Sequence, residues 1–122
     1  MKRFEFFYQS ADNKTKIHAV KWMPEREPVG IIQIAHGVTE YILRYEEFAR
    51  YLTDSGFIVV GNDHLGHGKS IADGAKTMYF GPKGSWKWVV EDIKMLKNIM
   101  VERYPDLPYV MLGFSLGSFV VR

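Results

Sequence analysis

The chain has no cysteine, which excludes disulfide staples and thiolate metal sites together. No apolar run approaches the ~20 residues that carry a helix across a bilayer, so no transmembrane segment is expected. Lys2 and Arg3 are not followed by an apolar stretch and a cleavage site, so no secretory leader is expected either. Neither sign of charge dominates: 16 basic residues face 14 acidic ones, and the two are interspersed. That pattern lacks the basic stripe of a nucleic-acid binder and the acidic run of a solvating tail. No internal repeat or low-complexity stretch is visible. These absences leave a cytoplasmic protein as the expectation, with peripheral contact at a membrane open. A length of 122 residues suits one domain and not two. An apolar fraction of 47% is enough for that domain to have a packed core.

What is present reads as alternating strands and helices. Phe4 to Tyr8 is an aromatic strand, a polar turn follows at 10–14, and Ile17 to Trp22 completes an antiparallel hairpin. The buried face of that second strand is ambiguous, because apolar residues fall on both sides of the alternation. Gly30 to Ala35 is a short, nearly continuous apolar run, as in a strand covered on both faces. Tyr45, Phe48, Ala49 and Leu52 then recur at helical spacing. This helix starts without an obvious capping side chain and stops at Gly56. Phe57 to Gly61 is a second buried strand, followed by a glycine-rich loop at 62–70. Ser85 is placed to cap a long helix whose apolar face is Trp86, Val89, Ile93, Leu96 and Met100. Pro105 ends it near Tyr104, and Tyr109 to Gly113 is the last strand. Two strand–helix–strand crossovers predict an α/β fold, a mostly parallel sheet with helices on both faces.

The last strand runs into Gly113-Phe114-Ser115-Leu116-Gly117. A serine at a sharp strand-to-helix turn projects its hydroxyl away from the backbone, above the free N–H groups and positive end of the next helix. Gly113 and Gly117 flank it where strand and helix pass too closely for a Cβ. Ser115 is therefore the candidate nucleophile.

Four features occur in order: a strand ending in His36-Gly37, the run Asp63-His64-Leu65-Gly66-His67-Gly68-Lys69-Ser70, Tyr104-Pro105-Asp106-Leu107-Pro108 ahead of a strand, and the Gly-x-Ser-x-Gly turn. With these spacings the chain resembles the α/β-hydrolase superfamily from about Phe4 onward. Within it, the chain looks most like the monoacylglycerol lipase and lysophospholipase group. The resemblance implies Ser115 as nucleophile, with the backbone N–H groups of Val38 and Leu116 forming the oxyanion hole. It implies structural support from His36, Gly37, Asp63, Gly113 and Gly117. It also implies a strand order of 1-2-4-3-5, a lipid-like or small ester as substrate, and no cofactor. Phe114 stands where many relatives have histidine, and Ser118 where many have glycine; neither change removes a catalytic group.

One departure matters more. The family's triad runs nucleophile, acid, histidine along the chain, and the residues after Ser115 include no Asp, Glu or His. The triad acid and histidine are therefore not in this chain. Residues 1–122 are expected to form a partial hydrolase domain that ends just after the nucleophile turn, with strand 109–113 as an apolar edge. Such an edge is expected to pair with the missing half or with a second copy. The alternative reading is a non-catalytic binding or assembly module with hydrolase-derived architecture.

The other polar residues have plainer readings. His36 is expected to order its loop through its ring nitrogens rather than serve as a substitute base. Asp63, His64 and His67 read as turn formers and backbone caps, not as a metal site. Asp63 precedes the nucleophile and is not the triad acid; it is expected to bind loop N–H groups, with Ser70 closing the same turn. His18 reads as a structural residue of the hairpin. Trp86 is expected in the core and Trp88 over the surface.

Overall fold

The computed structural model describes residues 1–37, 40–65, 68–70 and 86–114, without the side chain of Trp86. Its elements are β1 (Lys2–Gln9), β2 (Lys16–Met23), β3 (Gly30–Ala35), a 3₁₀ turn (Ile42–Tyr45), α1 (Glu46–Asp54), β4 (Phe57–Asn62), α2 (Trp86–Arg103) and β5 (Tyr109–Gly113). The strands form one sheet in the order β1-β2-β4-β3-β5. β1 and β2 pair antiparallel, as do β2 and β4. β3 lies parallel to both β4 and β5. Four of the five strands therefore point the same way, and only β2 runs against them.

β3 lies between β4 and β5 and is buried along its whole length. Its residues divide by parity between the two faces of the sheet. Ile32 and Ile34 pack with Val20, Trp22, Val59 and Ala49 on the α1 side. Ile31 packs with Ala19, Ile58, Val60, Leu96 and Met100 of the α2 side. The same division settles the ambiguity of β2. Ile17 and Ala19 face α2 while Val20 and Trp22 face α1, so both sides of the alternation are buried.

The polar member of β3 is also satisfied. Gln33 Nε2 donates to the Ile93 carbonyl on α2 at 3.2 Å, and its Oε1 accepts from the Tyr109 hydroxyl on β5. The indole N–H of the fully buried Trp22 donates at 3.1 Å to Glu46, in the first turn of α1. No side chain caps the start of α1, as its sequence suggests. Val89, Ile93, Leu96 and Met100 of α2 are all buried. Trp88 is half-buried against the cluster of Ile17, Leu65, Val89 and Ile93, rather than lying free over the surface. Ser85 falls outside the described residues.

The charge on α2 that its apolar face does not reveal is Asp92, which is 1% exposed. Its carboxylate accepts the Ser10 hydroxyl at 2.8 Å and the Ala11 N–H at 2.7 Å. Tyr8 donates to its backbone carbonyl at 2.6 Å. Asp92 thus anchors the β1–β2 turn to α2. Burial pushes its carboxyl up to about 6 from 3.8, against those hydrogen bonds. An acid raised in the folded state binds more protons folded than unfolded between these values. Its contribution is complete below pH 4 and lost as the pH rises through 6, at a cost of about 3 kcal/mol. Asp92→Asn keeps the shape without the charge. Its stability advantage over wild type is expected to grow from pH 4 to 6 and then level off in urea titrations. A difference independent of pH would sink this account.

Candidate active site

The parallel pairing of β3 with β5 sets up the site. Ala35 is level with Gly113, and the Phe114 N–H donates to the Ala35 carbonyl at 3.1 Å. The two strands thus end together, with His36-Gly37 beside Gly113-Phe114. Ser115, Leu116 and Gly117 lie outside the described residues, as do Val38 and His67. Gly37, Gly113, His36 and Asp63 are described.

His36 is completely buried. Its Nε2 accepts the His64 N–H at 2.9 Å. Its Nδ1 is 2.7 Å from the Gly37 carbonyl, which makes Nδ1 the protonated nitrogen of the ring. His64 Nε2 in turn donates to the His36 carbonyl at 2.8 Å, and the rings lie 4.0 Å apart, tilted. Each ring nitrogen of His36 is therefore committed to a backbone group. The ends of β3 and β4 are tied by reciprocal histidine–backbone bonds.

Asp63, at the end of β4, is 2% exposed. Its Oδ1 accepts the Ile42 N–H at 2.7 Å. Its Oδ2 accepts the Lys69 N–H at 3.0 Å and faces His18 Nδ1 at 2.7 Å. One carboxylate thus ties the 3₁₀ turn, the 63–70 loop and β2 together. Two glycines make room for this. Gly68 has φ +49°, and a Cβ there would meet the Asp63 carboxyl at 2.5 Å. At Gly61 a Cβ would meet Ile42 Cδ1 at 2.3 Å and the Ile34 carbonyl at 2.7 Å, so the turn could not seat on the sheet. Among the described residues, the partner of Ser70 lies on β2 rather than in its own loop. The Ser70 hydroxyl accepts the N–H of His18 at 2.9 Å, reaching across to β2.

His18 is the residue whose surroundings the sequence concealed. It is 1% exposed. Nδ1 faces Asp63, and Nε2 faces Glu5 Oε1 at 2.6 Å. Lys69 Nζ also reaches Glu5, at 3.3 Å. The hydrogen bond from His18 first, then Lys69, holds the Glu5 carboxyl below its usual range against burial. The only hint in the sequence is the level of His18 within a hairpin strand, which becomes informative once Ala19 is seen opposite Asn62. β2 lies three strands from β5, or about 14 Å at ~4.8 Å per strand, far beyond the ~3 Å over which a base takes a proton.

Glu40 was also missed. Its Oε1 accepts the Gly37 N–H and the Tyr45 hydroxyl, each at 2.6 Å. The Tyr45 bond foremost, helped by Gly37, holds the Glu40 carboxyl below its ordinary range against burial. Burial first, then Glu40, pushes the Tyr45 hydroxyl up. The Tyr45 ring lies 5.2 Å from that of Phe114, and Phe48 meets Phe114 edge-on at 6.2 Å. Among the described residues, no group of His, Asp and Glu is arranged to hold a metal ion. Nor is any helix among them long and apolar enough to cross a membrane.

A sheet of this order, with helices on both faces and the ends of β3 and β5 gathered at one rim, defines an α/β-hydrolase. The chain belongs to the serine aminopeptidase S33 family, whose model matches residues 26–122. It is 34% identical over 100 residues to a monoacylglycerol lipase of Mycolicibacterium smegmatis, covering 82% of this chain and 34% of that protein. It is 33% identical over 99 residues to the monoglyceride lipase of Homo sapiens, covering 81% and 31%. A thermostable carboxyl esterase from Bacillus coagulans, solved in complex with glycerol, superposes with a TM-score of 0.89 at 38% identity, covering 98% of this chain and 38% of that one. The chain spans about a third of the length of these two lipases.

Proposed function

We propose that these residues supply the nucleophile and oxyanion hole of a serine hydrolase acting on carboxylic esters. The observation that carries this is the level pairing of Ala35 with Gly113, which puts the His36-Gly37 segment beside the strand leading to Ser115. In this reading Ser115 Oγ attacks the acyl carbonyl carbon and its proton passes to a histidine outside these residues. The carbonyl oxygen becomes an oxyanion that accepts from the N–H groups of Val38 and Leu116. The alcohol leaves with the proton, and water then releases the acid from the acyl-serine. The names of the relatives support monoacylglycerols as the substrate class, and lysophospholipids share the same mono-acyl ester chemistry. We place the protein in the cytoplasm and read 1–122 as a partial domain.

β5 supports the pairing proposal. One side of it pairs with β3, and Val110 is 51% exposed. A strand from the rest of the hydrolase, or from a second copy, is the partner proposed for it.

A fluorophosphonate probe is expected to label Ser115 in a catalytically complete protein carrying these residues, with the adduct mapped by mass spectrometry. Ser115→Ala is expected to abolish both labelling and ester hydrolysis. Full activity in Ser115→Ala would remove the assignment. An unlabelled, inactive protein would instead favour the non-catalytic module.

A further inference from the structure

We propose that Glu40 and Tyr45 are positioning residues that set the oxyanion loop against the nucleophile turn; this rests on the assignment of Ser115 and of the Val38 N–H above. Both backbone groups of Gly37 are gripped. Its N–H donates to Glu40 Oε1 at 2.6 Å. Its carbonyl accepts from His36 Nδ1 at 2.7 Å and from the Glu40 N–H at 3.3 Å. The Gly37 carbonyl belongs to the same planar peptide as the N–H of residue 38, so what fixes the one sets the direction of the other. Glu40 therefore acts at both ends of Gly37, by its side chain on one peptide and its backbone on the next.

Tyr45 carries the restraint across to the serine side. Its hydroxyl donates to the same Glu40 oxygen at 2.6 Å, and its ring packs on Phe114 at 5.2 Å. Phe114 immediately precedes Ser115 and is itself bonded to the end of β3 through Ala35. One carboxylate and one tyrosine thus connect the two segments whose N–H groups must converge on a single oxygen. Charge-assisted hydrogen bonds of this kind are short and directional, which suits fixing the segment that follows β3. Neither side chain needs to touch the substrate for this role.

The test uses Glu40→Ala, Glu40→Gln and Tyr45→Phe in a catalytically complete protein carrying these residues, with Ser115→Ala as control. Glu40→Ala is expected to lower kcat by up to about 10²-fold, the penalty of a small misplacement, with KM little changed. Glu40→Gln retains an oxygen able to accept the Gly37 N–H and is expected to recover much of the loss. Tyr45→Phe keeps the ring on Phe114 and is expected to fall between them. Independently of turnover, the Gly37 amide proton is expected to move upfield in Glu40→Ala and to remain near its original position in Glu40→Gln. Unchanged kcat in Glu40→Ala, a rise in KM alone, or an unmoved Gly37 resonance would overturn the positioning role. If Ser115→Ala is inactive while Glu40→Ala retains wild-type kcat, only that role falls. If Ser115→Ala remains active, the nucleophile assignment falls and the role falls with it.

Discussion

Residues 1–122 assayed alone are expected to hydrolyse a short-chain ester about 10⁴- to 10⁶-fold more slowly than a complete hydrolase of the family, the loss that follows removal of a triad member. A serine hydroxyl is a weak nucleophile until a positioned base takes its proton. The described histidines are all buried within the fold. His36 lies at the end of the strand beside β5, but its ring nitrogens are committed to the Gly37 carbonyl and the His64 N–H. His64 is 1% exposed, with Nε2 donating to the His36 carbonyl and Nδ1 buried from solvent. His18 sits between Asp63 and Glu5, three strands away from β5. On the proposed assignment, what remains is the pair of backbone donors at Val38 and Leu116, which would stabilise an oxyanion that forms too rarely. The measurement is an esterase assay of the purified chain beside its Ser115→Ala variant. Turnover that approaches the complete enzyme and vanishes with Ser115 would mean that a base is within reach after all.

The largest effect on stability is expected at Asp63. Asp63→Ala is expected to destabilise the protein by about 3–5 kcal/mol, the range for breaking a buried charged hydrogen-bond network. The substitution strands two backbone donors, the N–H groups of Ile42 and Lys69, and removes the carboxylate facing His18 Nδ1. The Ile42 and His18 contacts are buried, where water does not replace a lost partner cheaply, while the Lys69 contact is part-buried. Because a domain's whole stability is only about 5–15 kcal/mol, a loss of this size leaves a large unfolded fraction. Asp63→Asn retains an accepting oxygen and is expected to lie between. Urea unfolding followed by tryptophan fluorescence measures both. A cost below about 1 kcal/mol for Asp63→Ala, the net worth of one ordinary hydrogen bond, would show that the network is not what holds the rim.

Where sequence and structure agree, the reason is periodicity. β3 and β5 have the bounds their apolar runs indicate, because a short continuous apolar run bounded by turn residues favours a strand. The buried face of α2 is legible for the same reason, since Val89, Ile93, Leu96 and Met100 repeat at helical spacing. The residues missed are polar ones whose partners are far along the chain. Asp92 meets Ser10 and Ala11, and His18 meets Asp63. No local pattern announces such a meeting. Glu40 is different: Gly37 and Tyr45 are close in sequence, but their contact depends on how the 36–45 segment folds back upon itself.

The sequence by itself determined the class of fold and the candidate nucleophile. Strand and helix periods are local properties of the chain, and Gly-x-Ser-x-Gly after an apolar strand is a local geometric statement. It also determined that no acid or histidine follows Ser115 within these residues. Only the tertiary structure decided what the polar side chains at the rim do. It committed His36 to its own loop, made Asp63 the common acceptor for three segments, enclosed His18 between two carboxylates, and brought Glu40 and Tyr45 onto the segment beside the serine turn. These roles depend on the register between strands. Parallel pairing of β3 with β4 and β5 brings the ends of the three strands to one rim, and a hydrogen bond exists only where that register places its two ends within about 3 Å.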